Sequence, residues 1–135
     1  MRFTFHEGLL YVPVLVFGPR GRAALRFVLD TGTARTMIAE GAARLLGFTP
    51  EGAIRKTRVA SVLGAETGFL VRARRLHSLG WDRDAFEIAC HRFAPEAQVD
   101  GLLGVDFFAD LKLTVNFAAG TIELVPGRPA AESDP

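Results

Sequence analysis

The chain has 135 residues, of which 49% are apolar and 23% charged, a composition typical of one soluble globular domain. Its formal net charge of +1 gives no reason to expect a nucleic acid or a membrane surface as a partner. The single cysteine, Cys90, excludes an intrachain disulfide and fits a reducing compartment. The first residues lack the apolar run of a signal peptide, and no apolar stretch reaches the length of a membrane span. We therefore expect a cytoplasmic protein.

The first predicted element is a β-hairpin. Residues 9–17 and 22–29 are rich in apolar, strand-favouring side chains, and a Gly-Pro-Arg-Gly turn at residues 18–21 separates them. Pro13 has no N–H to donate, which predicts an edge position or a bulge at that point. The second strand of this hairpin ends on Asp30.

The four residues 30–33 end that strand on a carboxylate. Asp30 is followed by Thr31, Gly32 and Thr33. Gly32 permits a sharp turn and a close approach of another chain segment, and the hydroxyls and backbone N–H groups offer hydrogen bonds. A carboxylate near the interior needs such partners. Because Asp, Thr and Gly are also common in ordinary β-turns, the motif alone leaves a structural turn and a functional carboxylate both open.

The middle of the chain predicts one helix between further strands. Residues 36–38 favour a short strand and residues 39–46 an amphipathic helix that ends at Gly47. Residues 55–63 and 69–76 are two more strand candidates, and the small residues 64–68 between them predict an open hairpin tip. A further strand is predicted at residues 85–92.

A second informative stretch is Leu102-Leu103-Gly104, a short buried run that ends where backbones approach closely. Asp106 is positioned to cap a short helix that reaches residue 110 or 111. Residues 113–117 and 121–125 predict a final hairpin, and residues 126–135 a disordered tail after a domain at 1–125. These elements predict an all-β barrel or sandwich of seven to nine strands with two short helices.

The order of these features resembles the retropepsin-like aspartic proteases. Asp30-Thr31-Gly32-Thr33, then a glycine-containing hairpin, then Leu102-Leu103-Gly104 correspond to the signature of that family. The resemblance covers roughly residues 5–125 and implies a closed β-barrel-like acid protease fold with one or two short helices. It implies an aspartic endopeptidase without a cofactor or metal, acting on peptide or protein substrates.

The resemblance also assigns roles to individual residues. The Gly32 N–H and the Thr33 hydroxyl would bond the outer carboxylate oxygens of the catalytic pair, and Thr31 would form a hydrogen bond across a dimer, below that pair. Residues 102–104 would pack beneath this turn. Residues 62–68 would form the flap over the substrate; the flap residues so implied are Val62, Leu63, Gly64, Ala65 and Gly68.

A homodimer follows from the number of motifs. Hydrolysis of this type uses two carboxylates that share one proton and activate a water. The chain has one Asp-Thr-Gly, because Asp100-Gly101 lacks the hydroxyl residue, so a second chain must supply the other carboxylate. Residues 126–135 lack a strand pattern, so we expect a dimer contact that is either built differently from the terminal strands of retroviral enzymes or weak. The flap also lacks a tyrosine.

Other interpretations remain open at this stage. Residues 29–33 also resemble the first phosphate motif of actin-like and Hsp70-like ATPases, but that fold needs two large lobes. A haloacid-dehalogenase-type phosphatase would need a second aspartate where Gly32 stands. The stronger alternative is a retropepsin-like dimer without protease activity that acts as a binding or scaffold module. Cys90 and His91 are neighbours on a predicted strand and point to opposite faces, which argues against a joint metal site.

Overall fold

The computed structural model describes residues 1–61, 64–93 and 98–127, with the side chains of 59–61 and 64–66 left aside. Within this part of the chain, strands dominate. The strands are β1 (Thr4–His6), β2 (Leu9–Gly18), β3 (Gly21–Leu29), β4 (Met37–Ala39), β5 (Arg55–Ser61), β6 (Gly64–Ser78), β7 (Trp81–His91), β8 (Gly101–Leu103), β9 (Leu111–Asn116) and β10 (Thr121–Pro126). The short helix α1 spans Glu40–Leu45, and single 3₁₀ turns span Pro50–Gly52 and Val105–Phe108. The predicted all-β class with short helices is confirmed.

The strands form an eight-stranded sheet and a separate hairpin. The order in the larger sheet is β1-β2-β3-β8-β4-β7-β6-β5, and β9 pairs with β10 in the smaller one. An additional antiparallel pairing of β2 with β6, such as Leu15 with His77, brings the larger sheet round into an approximately closed barrel. Two pairs are parallel, β3 with β8 and β4 with β7. The parallel β3–β8 pair positions the turn at residues 30–33, because both strands end beside it.

Alternate side chains along the strands point into this barrel and form its core. Val12, Val14 and Val16 of β2 are buried, whereas Pro13 between them is exposed. Pro13 lies between the part of β2 that pairs with β1 and the part that pairs with β6, where a missing N–H leaves the ladder intact. Phe107 and Phe108 are buried and stack edge to face, with ring centroids 5.5 Å apart. They are core residues, as the sequence indicated.

The predicted hairpin tip at residues 64–68 is wrong. These residues belong to β6, where Gly64 pairs with Ser61 and Gly68 with Thr57. A Cβ added to Gly68 would lie 2.2 Å from the Cys90 carbonyl oxygen and 2.6 Å from the His91 ring. Gly68 is therefore required for close strand packing and not for a turn. Val62 and Leu63, which the resemblance also assigned to the flap, lie outside the described residues.

The last strand extends past the predicted end of the domain. Pro126, which the sequence assigned to the tail, pairs with Leu111 at the end of β10. Gly127 then donates its N–H to the Asp110 carbonyl oxygen at 2.8 Å. Residues 128–135 lie outside the described part, so the prediction of a disordered tail stays a prediction there.

Candidate active site

The Asp30 turn is held by the neighbouring parallel strand. The backbone N–H of Asp30 donates to the Leu103 carbonyl oxygen at 3.0 Å, which continues the pairing of Leu29 with Leu103 by one residue. The Thr33 N–H then donates back to the Asp30 carbonyl oxygen at 3.2 Å and closes the turn. The carboxylate is thereby delivered to the end of β3 in a partly exposed position.

Both carboxylate oxygens of Asp30 accept hydrogen bonds from the turn itself. The Gly32 N–H donates to Oδ1 at 3.0 Å, and the Thr33 hydroxyl donates to Oδ2 at 2.7 Å. The resemblance implied these two donors. Because each oxygen accepts a hydrogen bond from the same turn, the orientation of the carboxylate plane is fixed in the absence of substrate. Thr31 and Gly32 are exposed beside it.

Gly104 supports this turn from below by close backbone contact. The Val105 N–H donates to the Thr33 carbonyl oxygen at 2.9 Å. A Cβ added at Gly104 would lie 2.7 Å from that oxygen and 2.9 Å from the Arg35 carbonyl carbon. Only glycine fits without displacement of the backbone. Gly104 and the fully buried Leu103 therefore lie beneath the turn, as the resemblance implied, whereas Leu102 is only partly buried.

Asp106 does not cap the helix that follows, and this prediction is wrong. The N-cap of the 3₁₀ turn is Gly104, without a side-chain cap. The Asp106 carboxylate instead accepts from the backbone N–H of Thr36 at 3.0 Å and from its hydroxyl at 2.7 Å. The same hydroxyl accepts from the Gly104 N–H at 3.0 Å. Asp106 therefore connects the Gly104 segment to the chain that leaves the Asp30 turn.

Sequence reasoning missed Thr36 as part of this support. Its side chain is fully buried although it is polar, and its carbonyl oxygen also accepts from the Ala89 N–H at 3.1 Å. The available signal was a hydroxyl residue directly before the apolar strand β4. A buried hydroxyl requires partners, and the local sequence does not name them.

A cleft of about 1040 Å³ opens in front of Asp30. The first three strands and β8 contribute to its walls. Six of its lining residues are Phe5, Tyr11, Arg26, Val28, Asp30 and Leu102. The lining combines these apolar and aromatic side chains with the carboxylates of Asp30 and Glu7 and the guanidinium of Arg26. Apolar walls with a few charged groups are typical of clefts that bind and orient a ligand.

The described part of the chain offers no other reactive centre of the kinds considered. No group of three or more His, Cys, Asp or Glu residues able to hold a metal occurs among the described residues. Cys90 is buried, and this desolvation, with a smaller contribution from the Glu40 carboxylate, raises the pKa of its thiol to about 12. The thiol is therefore protonated at neutral pH and is no nucleophile there. None of the described helices has the length and apolarity needed to cross a membrane.

Solved structures share this arrangement of strands. The fold matches the crystal structure of a retropepsin-like aspartic protease from Rickettsia conorii with a TM-score of 0.62 and 14% identity, over 90% of this chain and 84% of that one. It matches the retroviral protease-like domain of Ddi1 from Leishmania major with a TM-score of 0.60 and 16% identity, over 90% of this chain and 94% of that one. The fold is therefore retropepsin-like.

The sequence gives the family as well. A family model described as aspartyl protease matches residues 12–107, which include Asp30 and Leu102-Leu103-Gly104. The chain belongs to the aspartyl protease family. No curated protein matches the sequence. Membership in this family excludes the two-lobed ATPase alternative.

Proposed function

We propose that the protein is an aspartic endopeptidase in which two Asp30 carboxylates, one from each subunit of a homodimer, activate a water to hydrolyse a peptide bond. The observation that carries this proposal is the Asp30 carboxylate itself. It lines a large cleft, and Gly32 and Thr33 donate hydrogen bonds to its two oxygens. Membership in the aspartyl protease family supports the same chemistry.

The chemistry requires two such carboxylates. Two like charges about 3 Å apart cannot both ionise, so the pair keeps one shared proton. The ionised carboxylate accepts a proton from the attacking water, and the protonated one donates a hydrogen bond to the substrate carbonyl. In this proposal, the hydrogen bonds from Gly32 and Thr33 keep each carboxylate pointed at that water.

A second copy of the chain would supply the second carboxylate, since the sequence contains one Asp-Thr-Gly. The surface next to Asp30 suits such a partner. A groove of about 300 Å³ is lined by Asp30 and Thr31 together with exposed apolar side chains, which are Phe5, Leu9 and Phe117. We call these three residues the Phe117 patch. Phe5 and Phe117 stack edge to face with ring centroids 5.7 Å apart. Large apolar side chains clustered beside an incomplete site favour burial between subunits.

The β5–β6 hairpin is the proposed flap. Ser61 of β5 pairs with Gly64 of β6, and Ala60 pairs with Ala65. The other two proposed flap residues, Val62 and Leu63, lie outside the described part of the chain. Closure of such a hairpin over the cleft would exclude bulk water from the reaction. Gly68 lies further along β6, within the packed part of the strand.

The test is a digest of acid-denatured protein or pooled peptides, read by mass spectrometry, with the parent protein and Asp30→Asn. The amide keeps the shape of the side chain and removes the ionisable group. We expect cleavage by the parent that a pepstatin-type inhibitor blocks, and a loss of several orders of magnitude in Asp30→Asn, because the base is lost. Equal cleavage by both proteins would refute the proposal. A folded parent dimer that cuts nothing would favour the scaffold alternative.

A further inference from the structure

An arginine is stacked on a tyrosine within the cleft. The guanidinium carbon of Arg26 lies 3.9 Å from the centroid of the Tyr11 ring. Arg22 and Arg74 approach the Phe17 ring only to 5.9 Å. A guanidinium stacked on an aromatic face is held in place while its N–H groups still point outward in the plane. Such an arginine is pre-organised for a planar anion.

The register puts this pair on the same face as the carboxylate of Asp30. Arg26, Val28 and Asp30 alternate along the chain, so their side chains emerge on one side of the sheet. Tyr11 pairs with Val28, and Val28 pairs in turn with Leu102, which places Tyr11 and Leu102 on that side as well. Four residues of strand separate Arg26 from Asp30, or about 13 Å. That distance lies within the reach of one extended peptide.

The charge of Arg26 is available to a ligand. Among the described residues, Arg44, Arg72 and Arg75 form ion pairs with carboxylates within 3.1 Å, whereas Arg26 forms none. The adjacent carboxylate of Asp100 accepts from the backbone N–H of Arg26 at 2.9 Å, and the Asp100 N–H donates to the Arg26 carbonyl oxygen at 2.8 Å. These two bonds fix the backbone of Arg26. The Arg26 side chain itself is exposed and lines the cleft.

We infer that Arg26, held by Tyr11, binds an acidic side chain of the peptide substrate and so determines specificity. A carboxylate accepts two parallel hydrogen bonds from a guanidinium, which amides and hydroxyls cannot match. The inference rests on the proposed function in one respect, because it takes the occupant of the cleft to be an extended peptide.

The test measures peptide binding and cleavage separately. Short, apolar, fluorescein-labelled peptides carry either Glu or Gln at one position at a time, and their C-termini are amidated so that only side-chain carboxylates are compared. Binding is measured by fluorescence anisotropy at neutral pH on Asp30→Asn protein, which leaves the peptide intact. We expect about tenfold tighter binding of Glu than of Gln at one position. The substitutions are combined with Asp30→Asn in double variants. Arg26→Gln should abolish the preference for Glu over Gln, and Arg26→Lys should keep part of it.

Arg22→Gln is the matched control, because it removes the same charge from the same strand outside the cleft lining. It should leave the preference unchanged. Tyr11→Phe should keep the preference, and Tyr11→Ala should weaken it. Equal binding of Glu and Gln peptides at every position, or a preference that survives Arg26→Gln, would overturn the inference. A preference in binding without cleavage by the parent would refute only the proposed protease activity. Cleavage without a preference would refute only the role of Arg26, and neither binding nor cleavage of any peptide would refute both.

Discussion

Two regions next to Asp30 differ in whether their groups find partners within one chain. One is the support beneath Asp30, formed by Leu103, Gly104, Thr36 and Asp106, which we call the floor; the other is the Phe117 patch. Beneath Asp30, donors and acceptors meet within one chain: Leu103 holds the backbone, and Thr36 connects Gly104 to Asp106. In the Phe117 patch, by contrast, Phe5 is 56% exposed and Phe117 63% exposed. A single chain therefore builds a hydrogen-bonded support for one carboxylate and leaves an apolar surface exposed beside it, which we propose binds a second copy.

The largest expected effect is on the floor. Asp106→Ala removes the acceptor of both the N–H and the hydroxyl of Thr36, which is fully buried. Two buried donors without a partner should lower the free energy of unfolding by about 4 kcal/mol. Chemical denaturation measures this change. Asp106→Asn, whose amide oxygen still accepts a hydrogen bond, should lose less than half as much, and equal losses in the two variants would contradict the assigned contacts.

A smaller effect is expected from filling the space at Gly104. In Gly104→Ala the new methyl group would meet the Thr33 carbonyl oxygen at 2.7 Å, so the turn must shift, at a cost of about 3 kcal/mol. Gly41→Ala is the control, since nothing lies within 4 Å of a Cβ there and the position is in α1. The control should gain up to about 1 kcal/mol. A Gly104→Ala protein as stable as the parent would show that the floor is not tightly packed.

The smallest of these effects concerns the Phe117 patch. Phe117 lines the groove beside Asp30 and not the larger cleft, so Phe117→Ser should weaken the dimer and leave the fold of each subunit intact. We expect the dissociation constant of the dimer to rise about tenfold, as for a peripheral contact residue. Sedimentation velocity over a dilution series measures it. Leu45→Ser, which changes an apolar residue 81% exposed on α1, should leave the constant unchanged. An equal shift in both variants would place the interface elsewhere.

How much the sequence predicted also differs between regions. The bonds of Gly32 and Thr33 to the Asp30 carboxylate were predicted, because they lie within one short motif. The contact of the Leu103-Gly104 segment with this turn joins distant residues, and only the family resemblance implied it. The length of β6 was not, because Gly68 looks like a turn residue until His91 of β7 is seen packed against it. The contact of Asp106 with Thr36 joins residues 70 positions apart. A local pattern suggests helix capping for that aspartate, and only the fold reveals its true partner.

The central claim is that one active site contains an Asp30 from each of two chains. Mixing the parent with Asp30→Asn in equal amounts, after exchange of subunits and at constant total protein, tests it most directly. If both carboxylates are required, only dimers of two parent chains cleave peptide, and random exchange makes about one quarter of the dimers of this kind. Activity should therefore fall to about one quarter of that of the parent alone at the same total protein concentration. A parallel mixture with Arg22→Gln should keep full activity. Activity of one half in the Asp30→Asn mixture would show that each chain works alone and would contradict the account.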